Sequence, residues 1–326
     1  MFQNLIKSYS FIFLIIAAGL LASWHSQSAF ACFEISDTVL GVCIALIFTL
    51  QGIALSKKEF TQSYKPSKLP LFSLFWNFIG IPLLVLLIIF PFVNQTLKLG
   101  FFFLSILPST IALAVSYTDM SGGRVGTALF STCVSNLFGA LYVPFMFMLF
   151  WGQNMVAQAG LFSVLETVLV LIIVPVLLGY FLRQKFDAAG QYLLRFKNQL
   201  VETLITVIIY DSFLDSFSNS QNAHINLYDS VTTIGLSLFL FSLVSFLVWF
   251  TSRFLKVDRA SRIAVFYTAS QKSLCSGIPL IALTLGAAGK SEMLGFLLLP
   301  LIFYYLFQTI FGSILTYRFK GLLEIN

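Results

Sequence analysis

Residues 268–280 read TASQKSLCSGIPL, and the fold turns on how this stretch is read. It lies inside an apolar segment, from about Arg262 to Gly286, that is long enough to cross a bilayer. Ser270, Gln271, Lys272, Ser273 and Ser276 crowd together within it, and Gly277 and Pro279 follow. A lysine at mid-depth in hydrocarbon costs about 2.5–3.5 kcal/mol on insertion scales. Glycine and proline beside it loosen the helix, and the N–H and C=O groups so freed persist only inside protein or beside a water-filled cavity. Broken helices carrying charge are where membrane carriers hold ions and solutes. The stretch is therefore expected to form half of such a site.

Working outward, the whole chain has the same solvent. Its 326 residues have a mean hydropathy of +0.92, with 58% hydrophobic and only 10% charged residues. That composition excludes a soluble domain and points to an all-α polytopic membrane protein. The 37 phenylalanines suit a lipid-facing surface. A net charge of +6 reflects membrane topology here, so no nucleic-acid partner is expected. Cys32, Cys43, Cys133 and Cys275 have no metal or disulfide spacing, and His25 and His224 are expected in loops. Lys7, the apolar run Phe11 to Leu21 and the Ala29-Phe30-Ala31-Cys32 ending imitate a signal peptide. The polar stretch from Trp24 to Ser28 sets that ending too far from the apolar run, which is read as the first span.

Ten spans are expected, roughly 8–23, 38–56, 70–92, 99–121, 124–151, 161–182, 198–217, 230–254, 262–286 and 291–317. One face collects Lys7, Lys57, Lys58, Lys65, Lys68, Arg124, Arg183, Lys185, Arg195, Lys197, Arg253, Lys256, Arg259, Arg262, Arg318 and Lys320, which is 16 of the 19 Lys and Arg. Lys98 and Lys290 fall on the other face, and Lys272 lies within the membrane. The positive-inside rule then puts both termini in the cytoplasm. Adding about 153 to 167 residues carries each of the first five spans onto one of the last five. Five is odd, so residues 1–160 and 161–326 are expected to form two inverted five-helix repeats.

Both fourth spans of these repeats are interrupted by polar residues. The first reads ILPSTIALAVSYTDMSGG, with Pro108, Ser109 and Thr110 near its middle and Gly122-Gly123 in the turn that follows. Proline removes a backbone donor and crowds the preceding carbonyl. Span five carries Ser131, Thr132, Ser135 and Asn136, and Thr132 and Asn136, four apart, share a face. Asn77 lies mid-span in span three, before Gly80 and Pro82. Single Ser and Thr in such helices commonly bond back to their own backbone or hold neighbouring helices together, whereas an amide or ammonium is harder to satisfy. Asp119, Glu166 and Glu202 lie near span ends, and Tyr210, Asp211 and Asp215 toward the outer end of span seven, where solvation is expected. No enzyme is expected: Tyr210-Asp211 has no Gly-x-Gly-Asp counterpart, and His-Glu-x-x-His and Gly-x-Ser-x-Gly are absent. A channel or a membrane regulator remains the alternative to a carrier, since broken helices also line pores.

Asn77-Phe78 with Pro82, the run SGGRVGTALFSTCVSN from Ser121 to Asn136, and SQKSLCSGIPL from Ser270 to Leu280 resemble the bile acid:sodium symporter superfamily, in its bacterial SBF-like branch. The resemblance implies a panel of spans 1, 2, 6 and 7 and a core of spans 3–5 and 8–10. Discontinuous helices 4 and 9 would cross at mid-membrane. It implies a secondary active transporter of a small organic solute by alternating access, with sodium behind the crossing. Carried over residue by residue, it gives Asn77, Thr132, Ser135, Asn136, Thr268 and Gln271 as ion-binding candidates. Ser109, Thr110, Ser270, Lys272 and Ser273 are the candidates at the crossover or for the solute, and no further metal or cofactor is implied.

The sequence departs from the superfamily in two places. Ala112, Leu113 and Ala114 stand where it commonly has small polar ligands, while Thr268 and Lys272 align with an acidic and a glutamine ligand. Two cations a few Å apart repel by several kcal/mol at an effective dielectric of about 20. The ammonium thus leaves room for at most one sodium, near Thr132 and Asn136. If Lys272 titrates instead, the coupling ion becomes a proton. The overall positive charge favours an anionic solute.

Overall fold

Backbone in hydrocarbon has to satisfy its own N–H and C=O groups, which apolar spans do as helices, and the computed structural model describes residues 2–26, 36–54, 68–159, 166, 169–218, 227–287 and 294–324. Among the described residues the regular structure is all helical. The helices are α1 (Phe2–Ser26), α2 (Asp37–Ile53), α3 (Lys68–Phe92), α4 (Gln95–Ile106), α5 (Ile111–Met120) and α6 (Val125–Ala159). There follow α7, which opens with a π turn Leu169–Ile173 and continues as Val174–Lys185, then α8 (Asp187–Ser218), α9 (Leu227–Thr251), α10 (Arg259–Ser270), α11 (Leu274–Ala287) and α12 (Leu294–Glu324). Lys57, Lys58, Lys65, His224, Lys290 and the boundary expected at residues 160–161 lie outside the described residues.

Among the described residues four stretches are long and apolar enough to cross a membrane: Lys68–Phe92, Val125–Phe147, Tyr228–Leu255 and Leu294–Lys320. A fifth is broken, with Leu97–Ile106 and Ile111–Met120 bent by 58° across their gap. Large apolar side chains such as Phe13, Leu87, Phe181 and Phe246 face outward, as they do when lipid is the solvent. The protein is an integral membrane protein of the all-α polytopic kind.

The chain divides into two compact units. One comprises Met1–Ser56, Ala140–Ile225 and Cys275–Leu298, and so contains α1, α2, α7, α8 and α11. In it α2 packs on α7 and α8, and α1 on α8. The α2–α7 approach is close: a Cβ on Gly52 would lie 2.1 Å from the Val176 carbonyl oxygen, and one on Gly179 equally near that of Thr49. Small residues at such crossings let transmembrane backbones meet. Two expectations fail in this unit. His25 sits in the last turn of α1 rather than in a loop, and its Nδ1 meets the Tyr210 hydroxyl on α8. Asp211 is not solvated but only 6% exposed, because α8 turns this face toward its neighbours within the unit.

The second unit comprises Lys57–Gly139, Asn226–Leu274 and Leu299–Asn326, and so contains α3–α5, the first part of α6, α9, α10 and most of α12. Here α10 packs on α3, α5 and α9. At one end the tight turn after α5 uses Gly122 at φ 69°, a left-handed conformation glycine adopts without strain. The Arg124 amide donates to Ala260 O (3.0 Å), and its side chain pairs with Asp258 (3.3 Å). Arg262 lies over the Trp249 ring at 4.5 Å, and Trp249 stacks on Phe319 beside Arg318 and Lys320. Residues from three of the basic ends thus gather at one end of this unit. Asp258 also caps α10, accepting from the Ser261 amide and hydroxyl. Partial desolvation works against its charge, but these bonds and the Arg124 guanidinium outweigh it and hold the Asp258 carboxyl below the usual carboxylate range.

Candidate functional site

The site is built from two gaps in helices of the second unit. The first, Leu107–Thr110, separates α4 from α5; the second, Gln271–Ser273, separates α10 from α11. Leu107, Thr110 and Gln271 all have extended backbones. An interrupted helix leaves carbonyls without donors on one side of the gap and amides without acceptors on the other. The two gaps supply each other. Ser273 N donates to Pro108 O at 2.9 Å, and Lys272 reaches back into the carbonyl end of α4.

Lys272 is fully buried. Its ammonium donates to three backbone carbonyls, those of Asn77 (2.9 Å), Ser105 (2.7 Å) and Leu107 (2.8 Å). Each is open for a local reason. Asn77 is the second residue of a π turn, Trp76–Gly80, after which Ile81 N reaches back five residues to Trp76 O. The next donor in that register is Pro82, which has no N–H, so Asn77 O is left for the lysine. At the end of α4, Pro108 likewise offers no donor, and Ser109 N turns away to Ser135 Oγ (3.1 Å). The carbonyls there also form the negative end of the helix dipole, which favours a cation.

Each gap is held by an amide from the span that comes after the broken one. Asn136, on α6, donates through Nδ2 to Ser109 O and to Thr132 O, both 2.8 Å. Gln308, on α12, grips Lys272 from both sides: Lys272 N donates to Oε1 (2.8 Å), and Nε2 donates to Lys272 O (2.9 Å). The Tyr304 hydroxyl adds a bond to Ser270 O (2.7 Å). Gln308 and Tyr304 did not stand out in the sequence. An amide inside an apolar helix is the same signal that marks Asn77, and it would have found Gln308.

The other candidates fall into two groups joined through the lysine. Ser109, Ser135, Asn136 and Thr132 form one, with Thr132 Oγ1 donating to its own helix at Ala128 O and Leu129 O. Asn77, Thr268, Gln271 and Ser270 lie in the other. There Asn77 Nδ2 donates to Thr268 O (2.9 Å), Thr268 Oγ1 pairs with Ser73 Oγ (2.8 Å), and Ser270 Oγ donates to Phe266 O (2.7 Å). Thr110 is buried before α5 and makes no side-chain cap. Five buried oxygens have no partner among the described residues: Asn77 Oδ1, Ser109 Oγ, Ser131 Oγ and Gln271 Oε1, and, on α9, Ser245 Oγ. Buried oxygens without donors are costly unless something satisfies them, and neutral oxygens of this kind are what a hard monovalent cation takes. No group of three His, Cys, Asp or Glu converges among the described residues.

Comparison with known proteins bears on the chain as a whole. The model of the SBF-like CPA transporter family matches residues 9–321. A protein of Escherichia coli (strain K12) named "Putative symporter YfeH" is 26% identical over 317 residues, 95% of this chain and 92% of that one. Proteins named "Sodium/bile acid cotransporter 7" from Xenopus tropicalis and Rattus norvegicus are each 26% identical, over 295 and 294 residues. Those alignments cover 87% of this chain and 83% and 84% of the relatives.

Proposed function

This chain belongs to the SBF-like CPA transporter family, a family of transporters, and we propose that it is a sodium-coupled secondary active transporter of a small organic anion. The observation that carries the reading is the junction of two interrupted helices around a buried ammonium, with unpartnered oxygens beside it. Irregular backbone at membrane depth is a feature of carrier sites. Ten spans in two inverted repeats, with a panel of spans 1, 2, 6 and 7 and a core of spans 3–5 and 8–10 giving alternating access, complete the proposal. Both termini then lie in the cytoplasm, and the bacterial inner membrane is the assigned location.

The ion-binding set is Asn77, Thr132, Ser135, Asn136, Thr268 and Gln271. Ser109, Thr110, Ser270, Lys272 and Ser273 line the crossover. Neutral oxygens supply the cation ligands, and the net positive field of the junction selects an anion. The names of the relatives make bile-acid-like amphipathic anions the first solutes to try.

Purified protein in proteoliposomes tests this. Saturable uptake of an organic anion, driven by an inward sodium gradient and abolished when the gradient is collapsed, is the expected result. Uptake indifferent to sodium would replace the reading with a proton-coupled or uncoupled carrier, and single-channel currents would replace it with a pore.

A further inference from the structure

We propose that Lys272 is a tethered cation: its ammonium permanently fills a cation-binding cage formed by the carbonyls of Asn77, Ser105 and Leu107, so that no exchangeable ion binds there. The geometry is that of an ion site. Three backbone oxygens from two chain segments converge on one nitrogen at 2.7–2.9 Å. They come from a π turn in α3 and from the carbonyl end of α4. None of the three is paired in the ordinary helical way: Pro82 brings no N–H to Asn77 O, Ser109 N goes to Ser135 Oγ instead of Ser105 O, and the backbone is extended at Leu107 and Thr110. Three acceptors also require three donors. Only the protonated amine has them, since a neutral amine would set its lone pair against a carbonyl oxygen.

The cage excludes the other uses of this lysine. All three N–H groups are taken, which leaves none for a carboxylate or sulfonate of the solute. The side chain is 0% exposed, and Gln308 fixes the backbone on both sides of it. A second cation beside the cage would be repelled by the ammonium across a poorly screened interior. The consequence for coupling, one exchangeable cation fewer than the cages present, rests on the reading of the junction as a transport centre. The assignment of the ammonium does not.

The test is accordingly made on stability rather than on uptake. Thermal unfolding of the purified protein in detergent is followed as sodium replaces choline, for the wild type and for Lys272→Gln. Linkage makes the slope of melting temperature against log sodium report the number of ions bound by the folded state. The variant is expected to melt lower in choline and to show a slope one ion steeper than the wild type, because sodium enters the vacated cage. Equal slopes would overturn the proposal.

If Lys272→Gln does not fold, 15Nζ-lysine NMR of the wild type decides, with Lys272→Arg used for assignment. A slowly exchanging ammonium signal unaffected by sodium is expected. A neutral-amine signal, or one displaced by sodium, would refute the tethered cation. Failure of transport in proteoliposomes with these results intact would count against the proposed function alone.

Discussion

At the first break, residues 107–110, proline leaves carbonyls without donors, and nothing on that segment can neutralise them. At the second, residues 271–273, a lysine brings three donors and lends them to the first break and to α3. Otherwise the two are treated alike: the span after each broken one contributes one amide, Asn136 to the first break and Gln308 to the second. The two breaks are thus held in a common way, while the charge sits at one of them only. A break can be tolerated by hydrogen bonding alone; joining two breaks in this protein takes a cation.

The strongest way to break that contrast is to remove the charge and keep the shape. Lys272→Met leaves three buried acceptors without donors, each worth about 1–3 kcal/mol, and is expected to cost about 3–5 kcal/mol after partial relaxation. Chemical unfolding in detergent measures it, and uptake should be lost with it. Next comes the clamp on the charged break. Gln308→Leu orphans both the N–H and the C=O of Lys272, for about 2–4 kcal/mol. The matching change at the uncharged break, Asn136→Leu, loses the bond to Ser109 O and should cost about 1–3 kcal/mol. An equal or larger loss at Asn136 would show that the first break is the more demanding one, reversing the comparison.

The smallest effect is at the rim of the same unit, where the charges are exposed. Asp258→Ala removes the N-cap of α10 and its pairing with Arg124, at about 1 kcal/mol. The folded carboxyl is held below its ordinary value of 3.8. Its contribution to stability is therefore present above that value and lost as pH falls through the lower folded one. Melting curves of wild type and variant should converge in acid and separate toward neutrality.

The break at Lys272 was legible in the sequence because a charge, a glycine and a proline in an apolar segment each contradict a continuous buried helix. Asn77 and Asn136 were legible for the same reason. The cage was not. Its ligands are backbone carbonyls, which every residue carries, and only the folded path shows which have lost their donors; Pro82 and Pro108 were the available hints. Gln308 was overlooked because span ten was read for its length and apolarity. Asp211 was assigned to water from its place near a span end, whereas burial depends on which face α8 turns inward, and its sequence has too little helical periodicity to tell.

Reductive methylation of the intact protein, followed lysine by lysine with mass spectrometry, tests the buried ammonium most directly. Lys256 and Lys320, on exposed positions, should react readily in the native state, and Lys272 should remain unmodified until the protein is unfolded. Modification of Lys272 at the rate of those two would mean that its amine reaches water, and the junction of the two broken helices would lose the group that joins them.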